Sequence, residues 1–265
     1  MSRQLAPLSA EDVARFGADP ETAFRENLAE VEGRIARACA LAGRERSDVR
    51  LQPITKTVPA NVLRYAYAAG VRSFGENKIQ EAMGKREVMA DLDIHWSIVG
   101  HLQTNKVKYL TRFAHEFHAL DSLRLAEELE RRLERDDRFL DVYVQVNTSA
   151  EDSKFGLHPD ALPSFAEALH RFARLRPQGL MTLALFSSEI ERVRPCFELL
   201  RSLRDRAVAI NPALTGLSMG MSGDYELAIA EGATVVRVGQ AIFGKRPTPD
   251  SHYWPGFAQE AGKCA

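Results

Sequence analysis

Short apolar runs rich in β-branched residues alternate along this chain with longer stretches whose apolar positions recur every three or four residues. The first pattern buries an extended strand on both faces, and the second lays an apolar stripe along a helix. After a helical opening segment at residues 21–42, eight strand-like runs follow: VRLQPITK (49–56), VRSFG (71–75), IHWSIVG (94–100), EFHALD (116–121), DVYVQVNT (141–148), RPQGLMTLAL (176–185), TGLSMG (215–220) and TVVRVG (234–239). Helical stretches such as 122–136 separate them. Several begin with residues that start helices well: Pro59 with Asn61, Pro159 with Asp160, and Ser187 with Ser188. Eight strand-helix repeats in about 250 residues predict an α/β fold of the (β/α)8 TIM-barrel type. An open doubly wound sheet is the alternative, and the missing Gly-rich dinucleotide turn after the first strand counts against it. The barrel is expected over residues 21–246, between a loosely ordered lead-in (1–20) and a C-terminal tail (247–265).

In such a barrel the chemistry gathers at the C-terminal ends of the strands, which is where Lys56 ends the first one. Period-two alternation sets Lys56 with Ile54 and Gln52 on one face of that strand and Thr55, Pro53 and Leu51 on the other. Which face is the lumen cannot be read from this strand alone. In the fifth, Val142, Val144 and Val146 form an apolar face for packing on helices, so Tyr143, Gln145 and Asn147 point inward. In the eighth, Val236 and Val238 face out while Val235, Arg237 and Gly239 face in. A strand-end lysine is most often a solvated surface residue. Arg237, flanked by valines, is costly to bury unless it has an acceptor or lines a polar site.

Net charge narrows the setting. With 35 Lys and Arg against 36 Asp and Glu, no global field draws in nucleic acid or an anionic membrane. Cys39, Cys196 and Cys264 lie far apart without metal-ligand spacing, which suits a reducing cytoplasm. The chain carries no apolar run of the roughly 18 residues that a membrane span needs and no secretory-signal pattern at its start. His115 and His118 have no third ligand in view, so no metal site is expected.

The loops after the seventh and eighth strands, SMGMSGD (218–224) and GQAIFGKR (239–246), are built of small residues ahead of helices, a common phosphate seat in barrels. In the plainer reading, the glycines are turn residues and Ser222 or Asp224 caps a helix. A lysine able to form an imine, a phosphate seat and an inward arginine together describe a pocket for pyridoxal 5'-phosphate.

The stretches ITKTVP, GVRSFGENKIQEA, HWSIVGHLQTNKVK, VQVNTSAEDSKFGL, GLMTLA and LSMGMSGDYELAIAEGATVVRVGQAIFGKR, in order from about residue 22 to 246, resemble the pyridoxal phosphate homeostasis proteins, relatives of the N-terminal barrel of alanine racemase. The resemblance implies an imine between Lys56 and the cofactor, with Asn77 bordering it. It also implies Ser218, Met219, Ser222, Gly239 and Gln240 around the phosphate, and Arg237 against the pyridine nitrogen. Two positions depart from the family pattern: Lys78 stands where an aromatic is usual, and Gln240 where threonine is common. The implied role is to hold the cofactor and pass it to cofactor-dependent apo-enzymes, as a cytoplasmic monomer without turnover. An amino-acid racemase using Tyr143 or another mouth residue as base is the rival reading, and a lysine-dependent aldolase the weaker one. Lys154, among Glu151, Asp152 and Ser153, is read as a solvated loop charge, with a transient cofactor-holding site as the alternative.

Overall fold

Eight parallel strands wind round one axis: β1 (Arg50–Pro53), β2 (Ser73–Glu76), β3 (His95–Ile98), β4 (Glu116–Leu120), β5 (Leu140–Gln145), β6 (Leu175–Met181), β7 (Gly216–Ser218) and β8 (Val235–Val238). They stand in sequence order, and β8 returns to pair with β1. In this computed structural model, residues 5, 7–149, 151, 155–185, 187 and 189–247 are described. Lys154, Ser188, Cys264 and nearly all of the tail expected at 247–265 lie outside them. The ten helices among the described residues are α1 (Ala10–Phe16), α2 (Pro20–Leu41), α3 (Ala60–Ala68), α4 (Ile79–Val88), α5 (Val107–Leu110), α6 (Leu123–Arg135), α7 (Leu162–Ala168), α8 (Ile190–Val208), α9 (Tyr225–Ala230) and α10 (Gln240–Phe243). None of them is long and apolar enough to cross a membrane.

All eight expected strands are present, each close to its expected place. The valines at 142, 144, 236 and 238 are fully buried, as their place between sheet and helices requires. Helix α6 shows how the outer layer is made. Ser122 caps it by accepting the Leu125 amide, and Leu125, Leu129 and Leu133, one turn apart, are buried. The strand order opens between β1 and β2, where one isolated bridge pairs Ile54 with Gly75. There the amide of Thr55 donates to the Gly75 carbonyl at 2.9 Å and closes the ring.

The lead-in differs from its expectation. Residues 10–16 form a helix rather than a loose segment, because Ser9 and Asp12 satisfy each other's backbone amides in a capping box and Phe16 is buried. Phe16 meets Phe24 of α2 edge-on, and Phe24 meets Phe243 of α10 in the same way.

Candidate functional site

Inside the barrel the strands present polar side chains that satisfy one another. Arg50 of β1 forms a forked pair with Glu116 of β4, at 2.7 and 3.1 Å. Gln52 accepts from Ser73 of β2 at 2.9 Å and from Ser97 of β3 at 3.1 Å. These contacts cross the lumen, so Arg50, Gln52 and Ile54 face inward. That settles the face of β1 that the strand alone left open; Lys56 lies beyond the strand, in the turn that follows it.

Burial would raise Glu116, but the hydrogen bond from His118, the nearby His95 ring and the charge of Arg50 outweigh it and hold the carboxyl well below the usual carboxylate range. An ionised carboxylate only accepts, so Nε2–H of His118 donates to Glu116 (3.3 Å) and Nδ1 accepts the Ser218 hydroxyl proton (2.9 Å). Burial lowers the His118 pKa, in keeping with a neutral ring. The Ser218 oxygen in turn accepts from Arg237 at 2.7 Å. The order Arg237, Ser218, His118, Glu116, Arg50 therefore links β8, β7, β4 and β1 through the lumen.

Arg237, 4% exposed, lies opposite Gln52 in the register of β1 and β8. One terminal nitrogen donates to the Ser218 carbonyl (2.6 Å) and hydroxyl, and the other donates to the Thr182 carbonyl (2.8 Å). Its Nε–H has no acceptor among the described residues. Burial pulls its pKa down to about 10, so the guanidinium stays charged at neutral pH.

The loops after β7 and β8 meet directly, for the Gly239 amide donates to the Ser222 hydroxyl at 3.2 Å. Gly220 begins the first of them at φ +92°, where a Cβ would lie 2.6 Å from Ala228 and 2.9 Å from the Tyr225 backbone. Gln240 opens α10, and its first-turn amide has no acceptor within the helix. Met219 is fully buried, with its amide engaged by the Val235 carbonyl. Asp224, raised by burial, accepts the Met221 amide at 2.6 Å and shapes the loop.

Lys56 is half-buried just beyond β1. Its neighbours are held from behind. Thr55 donates its hydroxyl to Glu76 at 2.5 Å, the Thr55 carbonyl accepts from Lys85 of α4 at 2.8 Å, and the Thr57 amide donates to Glu81 at 2.7 Å. Asn77 follows β2 at the same end, and its carbonyl would lie 2.2 Å from any Cβ at Gly100, so a glycine is needed where the two loops cross.

The structure thus brings Lys56, Asn77, Ser218, Ser222, Arg237, Gly239 and Gln240 to one end of the barrel. Gln145 and Asn147 instead serve the loop after β5: the amide nitrogen of Gln145 donates to the Phe155 carbonyl, and that of Asn147 to the Glu151 carbonyl, both at 2.9 Å. His101 stacks on Phe155 at 3.8 Å between ring centres and lies 3.3 Å from Asp121. The links Arg50, Glu116, Ser97 and Thr182 were not expected. Arg50 and Glu116 share strand faces with Gln52 and His118 two places on, and the structure shows those faces to be inward.

The alanine racemase N-terminal domain family matches residues 23–247. Alanine racemase from Streptomyces lavendulae superposes with a TM-score of 0.67 over 87% of this chain and 59% of its own, at 14% identity, which speaks for the fold alone. PipY of Synechococcus elongatus, solved with PLP bound, is 33% identical with a TM-score of 0.73, over 83% of this chain and all of that one. The pyridoxal phosphate homeostasis protein of Aquifex aeolicus is 42% identical over 222 residues, 83% of this chain and 97% of its own length. Its counterpart in Pseudomonas aeruginosa is also 42% identical, over 83% of this chain and 95% of its own. With barrel, mouth and relatives in agreement, the chain belongs to the pyridoxal phosphate homeostasis protein family.

Proposed function

We propose that the barrel mouth binds pyridoxal 5'-phosphate, with Lys56 as its covalent anchor, and that the protein holds this cofactor and passes it to apo-enzymes in the cytoplasm without turning over a substrate. The observation that carries the reading is the donor set. An amine on β1, a guanidinium on the neighbouring β8 and the amides and hydroxyl of two touching loops match an aldehyde, a pyridine nitrogen and a phosphate on three edges of one ring. When bound, the cofactor supplies an aldehyde that condenses with an uncharged lysine amine, forming C=N and releasing water.

Each residue then has a task. Lys56 offers its amine from a strand end fixed on both sides. Arg237, with both terminal nitrogens committed, would have Nε–H left to meet the ring nitrogen. A guanidinium that stays charged at neutral pH gives up no proton, so the nitrogen facing it stays unprotonated and the ring is a weaker electron sink. Ser222, Gly239 and Gln240 receive the phosphate. Ser218, whose hydroxyl is engaged by His118 and Arg237, orients the arginine. Asn77 borders the ring and Met219 walls the seat from below.

Absence of turnover is supported by the relatives' names and by Tyr143, the base that the racemase reading names. Tyr143 is buried with its ring 4.4 Å from that of His118, and burial raises its pKa, so it is poorly suited to take a proton. A spectrum with added cofactor tests the proposal. Wild type should turn yellow and Lys56→Ala should not, and borohydride trapping should label Lys56. A colourless wild type sinks the binding claim, and chiral turnover of L-amino acids above the free-cofactor background sinks the claim of no catalysis.

A further inference from the structure

Thr57, directly after the proposed anchor, is one of two non-glycine residues among those described with positive φ, at +66°. A β-branched residue does not rest there unaided, because its Cβ crowds the following carbonyl. Three hydrogen bonds grip it. Glu81 accepts its amide at 2.7 Å, while Arg15 of α1 donates to its carbonyl at 2.7 Å and to its hydroxyl at 3.2 Å. A second contact from α1 lands four residues further on, where Asn61 donates to Asp12 at 2.9 Å. The same segment is tied to the helix after the neighbouring β8, for Phe16 packs on Phe24, Phe24 packs on Phe243, and Asn27 of α2 donates to the Ile242 carbonyl at 2.8 Å. Helix α1 lies ahead of residue 23, where the family match begins.

We propose that Arg15 is a positioning residue for Lys56: by holding Thr57 in the left-handed conformation it sets the direction in which β1 ends, and so where the lysine amine stands. This chain's N-terminal helix is thereby a working part of the mouth. The claim deepens the cofactor-binding reading and rests on it for its consequence, but not for its geometry.

A four-protein cycle tests it: wild type, Arg15→Ala, Thr57→Gly and the double variant, each checked for folding by circular dichroism. Glycine occupies φ +66° without strain, so it removes the need for a brace. Two readouts are taken: the dissociation constant for pyridoxal 5'-phosphate, and the acylation rate of Lys56 in cofactor-free protein by acetic anhydride and peptide mapping. Arg15→Ala should weaken cofactor binding on the order of tenfold and change the Lys56 acylation rate. In the Thr57→Gly background the same substitution should change both far less. Unchanged values for Arg15→Ala overturn the proposal. So does an equal loss in both backgrounds, the result expected if Arg15 merely docks α1. Should wild type bind no cofactor, the functional reading fails alone, and the acylation rates still decide the claim about Arg15.

Discussion

Replacing Glu76 by Gln isolates one buried charge behind the Lys56 strand end. Glu76 is fully buried, and one of its oxygens accepts from Thr55 and from Lys85 at 2.7 Å, while the other has no partner. Burial, outweighing the attraction of Lys85 and helped by Glu81, raises its pKa from 4.5 to about 7. A carboxyl whose folded pKa lies above its unfolded one binds its proton more tightly when folded. Its contribution to stability is therefore complete below about pH 4.5 and is lost as pH rises through about 7. At roughly 1.4 kcal/mol per pH unit, that gap is worth about 3 kcal/mol. Glutamine keeps the oxygen that Thr55 and Lys85 use and has no proton to lose. Urea unfolding of both proteins at pH 4.5 and pH 8 should show glutamine gaining about 3 kcal/mol on glutamate between the two pH values. Taking the difference cancels the titrating groups that are not coupled to residue 76. If the two stability curves run parallel, the buried carboxyl is not titrating in this window and the reasoning fails.

Two further substitutions probe the frame and the loops. Leu129→Ala, at a fully buried position of α6, should cost about 2–5 kcal/mol in urea unfolding, and a loss below 1 kcal/mol would show that the helix packs more loosely than its burial indicates. Gly220→Ala sets a Cβ against the Tyr225 backbone at a positive φ and should cost on the order of 3 kcal/mol. Isothermal titration should show the same variant binding pyridoxal 5'-phosphate more weakly, and unchanged affinity would separate this loop from the phosphate seat.

The strands were legible because a parallel barrel buries them on both faces, which writes continuous apolar runs into the chain. Arg237 was legible for the opposite reason, as a charge among valines that requires a polar setting. The orientation of β1 was not legible, since Arg50 and Gln52 alternating with Leu51 and Pro53 look the same whether the polar face meets solvent or a polar lumen. Nor did alternation announce the loop hydrogen bonds that Asn147 makes where β5 gives way to its loop. Helix α1 was hidden by its brevity and by the prolines around it, and its order comes from partners far along the chain, such as Thr57, 42 residues from Arg15. Nothing in the letters TKTV announces a left-handed threonine.

The weak seam and the site coincide for a physical reason. Between β1 and β2 the backbone contributes one bridge and the Thr55–Gly75 hydrogen bond, so side chains carry the closure: Gln52 to Ser73 across the lumen, and Thr55 to Glu76 behind it. A full ladder there would continue past Pro53 and keep Thr55, Lys56 and Thr57 in extended conformation. Ending it early lets the chain turn at Thr57 and lifts the lysine clear of the sheet. The backbone order lost at that point is restored from outside the ring, by Lys85 and Glu81 on α4 and Arg15 on α1. The strand end that carries the amine is thus set by polar contacts, several of them charged, more than by the ladder, and substitutions in those contacts should alter Lys56 before they alter the barrel.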